Sequence, residues 1–147
     1  MVSEDFVSFN IMRFLQKNGW IIVQYHPPGG QASFSVNVSG ESFYPDLIAY
    51  KDSQILVMEN KPNYNSDDVD KLRKIMSSEE AKIRIIEHVT HFCKDHSFDV
   101  SNTFIFRWAH AFSGEPHPDP LQNINLMYVQ DAGIVQVTQS VENRLRI

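Results

Sequence analysis

Residues Ile55 to Met58 read Ile-Leu-Val-Met, apolar at every position. Strand side chains alternate between faces, so such a run fits a strand covered on both sides, at the centre of a sheet. A second run, Leu47-Ile48-Ala49-Tyr50, precedes it across the polar segment Lys51-Asp52-Ser53-Gln54. Two such runs around a short polar break predict a β-hairpin, though the Asn-Gly or Asp-Gly of the strongest hairpin turns is missing. In a symmetric two- or four-residue loop, opposed positions share one sum. Tyr50 then faces Ile55, Ile48 faces Val57, and Asp46 faces Glu59. Directly opposed side chains lie about 5 Å apart on one face. Lys61 falls on that face one pleat beyond Glu59. The hairpin therefore gathers two carboxylates and an ammonium at one end of a strand pair.

Two like charges side by side cost stability unless a cation sits between them. Hard divalent cations such as Mg²⁺ or Mn²⁺ take carboxylate oxygens and meet that need. The structural alternative is a pair of surface acids salt-bridged by Lys61 on a solvated face. A Glu and a Lys at the end of a central strand are harder to explain as surface decoration.

Pro45-Asp46, followed by Glu59-Asn60-Lys61 on the next strand, resembles the signature of the PD-(D/E)xK nuclease superfamily. That superfamily contains restriction endonucleases, Holliday-junction resolvases and related repair and defence nucleases. The resemblance covers roughly the first two-thirds of the chain in order of elements. It implies a restriction-endonuclease-like core in which Asp46, Glu59 and Lys61 are catalytic. It also implies that Asp46 and Glu59 hold one or two Mg²⁺ or Mn²⁺ ions, with the Asn60 backbone carbonyl as a further ligand. In the superfamily a first-helix carboxylate often joins the metal site, and Glu4 stands in that place. The simpler role for Glu4 is as an acid at a helix N-terminus, favoured by the helix dipole.

The 147 residues fit one domain, here a nuclease-like domain over 1–147. No apolar run approaches the roughly 18 residues of a membrane span. Met-Val-Ser-Glu-Asp lacks the basic-then-apolar pattern of a signal peptide, and Cys93 is the single cysteine. Both favour a cytoplasmic protein with no membrane partner. The net charge of −5 sits awkwardly with a nucleic-acid partner. Clustered metal-binding acids account for part of it. A local basic patch, a homodimer or a partner subunit would have to supply the cationic surface.

Ser3 caps a first helix carrying Val7, Ile11, Phe14 and Leu15 at helical spacing, closed by Asn18-Gly19. Trp20 to His26 predicts a strand, with Gln24 and His26 on one face and Gln24 within reach of the site. Pro27-Pro28-Gly29-Gly30 breaks it. That glycine pair offers amides to a phosphate, although tight turns use such residues for geometry alone. Phe34, Val36 and Val38 alternate with polar residues as a half-buried strand. Pro62 ends the Glu59-Asn60-Lys61 strand or takes it off its ladder. Helices follow over Ser66 to Met76 and from Ser78 to about Asp95. Lys71, Arg73, Lys74, Lys82 and Arg84 form the densest basic group in the chain; they offer a phosphate-contacting surface but read best as solvated helix faces. His88, His91, Cys93 and His96 do not make a zinc site, because Cys93 points roughly 140° from His88 at 100° per residue. Thr103 to Phe112 is a crossover strand, parallel to a strand of the first hairpin. Ile124 to Val129 and Ile134 to Val137 form a second hairpin, and Glu142 to Ile147 a strand end or helix.

The order of elements predicts an α/β or α+β domain with a mixed central sheet flanked by helices. The resemblance implies a metal-dependent phosphodiesterase, an endonuclease acting on DNA ahead of RNA. One alternative is an inactive nucleic-acid- or protein-binding module that keeps the nuclease fold. Another is a viral cap-snatching RNA endonuclease. Those enzymes carry a metal-ligand histidine on an upstream helix, whereas the only upstream histidine here, His26, falls near a strand end.

Overall fold

The computed structural model describes residues 3–27, 34–117 and 119–147. The candidate phosphate turn at Gly29-Gly30 lies outside the described residues. The elements run α1 (Glu4–Lys17), β1 (Ile21–Tyr25), β2 (Val36–Val38), β3 (Glu41–Phe43), β4 (Leu47–Lys51), β5 (Gln54–Asn63), α2 (Ser66–Met76), α3 (Glu79–Asp95), β6 (Ile105–Ser113), β7 (Asn125–Val129) and β8 (Val135–Thr138).

A mixed six-stranded sheet, ordered β1-β4-β5-β6-β7-β8, carries the fold. The β4–β5 hairpin takes the expected register, with Tyr50 opposite Ile55 and Ile48 opposite Val57. Its two-residue loop places both Asp52 (φ 49°) and Ser53 (φ 66°) in the left-handed region. That conformation matches the twist of the strands, and it is reached here without glycine. β5 lies inside the sheet, antiparallel to β4 and parallel to β6. A parallel neighbour requires a long crossover, which α2 and α3 supply. The β5–β6 ladder is irregular between Asn60 and Asn63, where Pro62 has no N–H to give.

Alternation along β5 builds two cores. Ile55 and Val57 face α2 and α3, packed with Leu72, Ile75, Ile85, Val89 and Phe112. Leu56 and Met58 face α1, packed with Val7, Ile11 and Leu15. The domain is therefore α+β, with helices on both faces of the sheet. Among the described residues no helix is long and apolar enough to cross a membrane.

Val36–Val38 is a strand, as expected, and pairs with Glu41–Phe43 in a separate two-stranded sheet across a Ser39-Gly40 turn, where both residues have positive φ. One segment differs from expectation. The 142–147 tail forms neither strand nor helix. β7 covers β6 only from Ala109 onward, so before it the edge of β6 away from β5 has no strand partner. Asn143 fills that place with its side chain: Nδ2 donates to the Phe106 carbonyl at 2.8 Å, and Oδ1 accepts from the Trp108 N–H at 3.0 Å. Buried polar backbone must find partners, and a side-chain amide here replaces a strand.

Candidate functional site

Regular β4–β5 pairing stops at Leu47 and Met58, one step short of Asp46 and Glu59. Pro45 precedes that step, and side chains take over the pairing. The Asp46 N–H donates to Glu59 Oε2 at 2.8 Å, and the Asn60 N–H donates to Asp46 Oδ2 at 2.8 Å. On the other side the Asp46 carbonyl accepts from the His26 N–H at 2.8 Å. Asp46 is thus fixed between two strands, and each acid satisfies a backbone group of the other strand. Glu59 is 1 % exposed.

Lys61 does not neutralise Glu59 directly, contrary to the simple hairpin picture. Its Nζ lies 3.6 Å from Glu4 and 3.7 Å from Asp68. The cation on Glu59 is instead Lys71 of α2, whose Nζ donates to Glu59 Oε1 and also to the Tyr44 carbonyl at 3.2 Å. Asp68 and Lys71 are three residues apart on α2 and so share a helix face. β5 offers Glu59 and Lys61; α2 answers with Lys71 and Asp68. The sequence showed neither partner as part of the site, because which residues of α2 reach the sheet depends on how the helix packs. The spacing of Val69 and Leu72 marked its buried stripe, and Asp68 and Lys71 each directly precede one of those positions.

Four carboxyls (Glu4, Asp46, Glu59 and Asp68) thus surround two ammonium groups, Lys61 and Lys71. Burial raises the pKa of every one of these acids and is the largest cause for each. For Glu59, burial followed by the Asp46 carboxylate pushes the value up to about 8, against the pull of Lys71. At Lys61 burial disfavours the charge. Asp68, then Asp46 and Glu4, outweigh it and hold the pKa above its ordinary value. The cluster is short of positive charge.

Glu4 opens α1 at the dipole-favoured end and also reaches Lys61, so both expected roles coincide in one residue. Asn60 turns its side chain the other way, where Nδ2 donates to Ser8 of α1 at 3.2 Å. That contact anchors α1 one turn beyond Glu4. Gln24 points toward α3, with its amide oxygen 3.3 Å from His88 Nε2.

His110 of β6 was not anticipated as a site residue. It is fully buried beside Glu59 in the parallel register. The Asn65 N–H donates to its Nε2 at 3.0 Å, so Nδ1 carries the ring proton and donates to the Glu59 carbonyl at 2.9 Å. Asn65 is the N-cap of α2. His110 therefore ties the strand bearing Glu59 to the start of the helix bearing Asp68 and Lys71.

Burial lowers the His110 pKa from 6.5 to about 4. The folded chain holds the ring neutral while the unfolded chain binds a proton below pH 6.5. Stability from this residue is therefore present above 6.5 and lost as pH falls toward 4, by about 3 kcal/mol in total. The raised carboxyls tilt the profile the opposite way. His110→Gln should remove the acid-side loss, and the difference between its unfolding free energy and that of wild type should shrink steadily from pH 7 to pH 4. A constant difference would place the ring elsewhere.

The basic group on α2 and α3 is dispersed. Lys71 enters the site, Lys74 pairs with Glu41 at 3.8 Å, Lys82 pairs with Glu79 at 2.7 Å, and Arg84 donates to the Ser35 carbonyl at 2.6 Å. Cys93 is buried in the core, and His91 lies against Asp95 at 3.1 Å.

The donor set of the cluster is entirely oxygen, which suits Mg²⁺ or Mn²⁺ rather than softer ions. Asp68 Oδ2 is buried and has no hydrogen bond among the described residues, since 3.7 Å to Lys61 is an ionic contact only. Charge and chemistry therefore fit a divalent cation. Among the described residues no three such ligands converge already. No family model, curated protein or solved structure matches the chain.

Proposed function

We propose that this chain is a metal-dependent phosphodiesterase of the PD-(D/E)xK type, an endonuclease cutting DNA in preference to RNA. The observation that carries the reading is the Asp46–Glu59 pair. Two carboxyls are interlocked through each other's strands in the middle of a mixed sheet, at the end where β5 carries Lys61. Helices on both faces and a hairpin leading into the central parallel strand agree with a restriction-endonuclease-like core. α1 contains no histidine, which leaves the cap-snatching alternative without its helix ligand.

In this reading Asp46 and Glu59 hold Mg²⁺ or Mn²⁺, with the Asn60 carbonyl and Glu4 completing the protein's share of ligands. A bound divalent ion supplies charge stabilisation at the phosphate and a more acidic attacking water. The protein's own residues do the rest. Asp46 is fixed by its His26 and Glu59 hydrogen bonds, so little reorganisation is required at the moment of reaction. Lys61 sits on the same rim and orients the water or offsets charge developing on the phosphate. Glu4 and Asp68 hold its ammonium in place. The protein is cytoplasmic in this reading, and a homodimer or partner subunit adds the basic surface that a net charge of −5 lacks.

A second reading, an inactive binding module on the same fold, is favoured by Lys71, which already satisfies Glu59. One pair of experiments separates the two. The purified chain is incubated with duplex DNA, single-stranded DNA and RNA, with and without Mn²⁺, and its melting is followed at the same metal concentrations. Cleavage should require metal. A cation at hundredfold excess over its dissociation constant should add about 2.7 kcal/mol of stability. No cleavage of any substrate, with melting indifferent to millimolar Mn²⁺, would leave the inactive module.

A further inference from the structure

Glu59 has one fixed oxygen and one exchangeable partner. Oε2 is held by the Asp46 N–H, part of the backbone frame, whereas Oε1 meets the end of a four-carbon side chain from a helix. Lys71 is 23 % exposed and Glu59 only 1 %. The ammonium therefore has a route to water that the carboxylate lacks, and a long flexible stem on which to take it. A buried carboxylate cannot stand unpaired, so some cation must occupy Oε1 whenever Glu59 is ionised.

We propose that Lys71 is a placeholder cation: it occupies Glu59 Oε1 in the metal-free chain, and a divalent ion binds by displacing it. The inference rests on the metal-centre reading above and adds a competition built into the fold. It accounts for the absence, among the described residues, of three acids already converged as a ready-made cage. It also makes the apparent metal affinity weaker than the carboxylates alone would give, because each binding event must first break the Glu59–Lys71 pair.

The test is Mn²⁺ binding, measured by calorimetry on the full chain as wild type, Lys71→Gln and Lys71→Arg. Gln keeps a donor for Oε1 but no charge. It should bind Mn²⁺ at least tenfold more tightly than wild type, with a larger rise in melting temperature on adding metal. Arg grips a carboxylate bidentately and should bind at least severalfold more weakly. Equal or weaker binding by Lys71→Gln, in a wild type that does bind Mn²⁺, overturns the placeholder and leaves the metal centre standing. Absence of binding by both overturns both readings. Should Lys71→Gln be unfolded without metal, recovery of its circular dichroism on adding Mn²⁺ supports displacement. A chain that stays unfolded at saturating Mn²⁺ makes Lys71 a structural partner and overturns the proposal.

Discussion

Glu59→Gln is expected to slow Mn²⁺-dependent cleavage by a factor on the order of a hundred to a thousand, while the chain remains folded. The choice of glutamine matters. Glu59 is buried and accepts from both the Asp46 N–H and Lys71. Alanine would leave the Asp46 N–H without its acceptor and Lys71 without its carboxylate, a loss of about 3–5 kcal/mol for a broken buried pair. Loss of activity in Glu59→Ala would then report unfolding as much as chemistry. Glutamine keeps an oxygen for the Asp46 N–H and removes the charge that would hold the ion; its amide N–H₂ then faces Lys71, whose ammonium keeps the Tyr44 carbonyl. Asp46→Asn follows the same logic, since its amide oxygen still accepts from the Asn60 N–H. Single-turnover cleavage beside thermal unfolding separates the effects. A folded Glu59→Gln chain that cuts at the wild-type rate would remove Glu59 from the metal centre.

The hairpin register, the central place of β5 and the two helices after Pro62 were legible because each follows from local pattern. Alternation and apolar runs fix which residues pair, and Ser3, Asn65 and Ser78 cap the helices where the sequence turns polar. The placement of Asp46 against Glu59 was legible for the same reason, as an extension of that register. What escaped was everything set by packing between distant elements. Lys71 reads as one more cation on a solvated helix until α2 is laid on the sheet. Asp68 reads as a first-turn acid favoured by the helix dipole. His110 sits in a strand with nothing local to mark it, and its role follows only from the parallel register with Glu59. The 142–147 tail misleads in the opposite direction. It reads as a strand end or helix and is neither, yet Asn143 supplies the hydrogen bonds that a strand's backbone would have made.

Lys61 is expected to separate structure from chemistry most sharply. Its ammonium pairs with Glu4 and Asp68 rather than with Asp46 and Glu59. Lys61→Ala should therefore lower the melting temperature, because two carboxyls lose their cation. It should also slow single-turnover cleavage by a factor on the order of a hundred, the scale of one preorganised electrostatic group. Lys61→Arg should restore much of the stability but not the rate. A planar guanidinium satisfies carboxylates yet cannot replace a compact ammonium beside the attacking water. The double variant Lys61→Ala/Asp68→Asn decides between the roles. It removes the cation together with the acid that most strongly holds it, so an ion-pair role predicts that stability and rate recover together. A role at the water or the phosphate predicts recovered melting with cleavage still slow. If the double variant cuts at the wild-type rate, Lys61 is a counter-ion for Asp68, and the Glu59-Asn60-Lys61 triplet loses its catalytic third member.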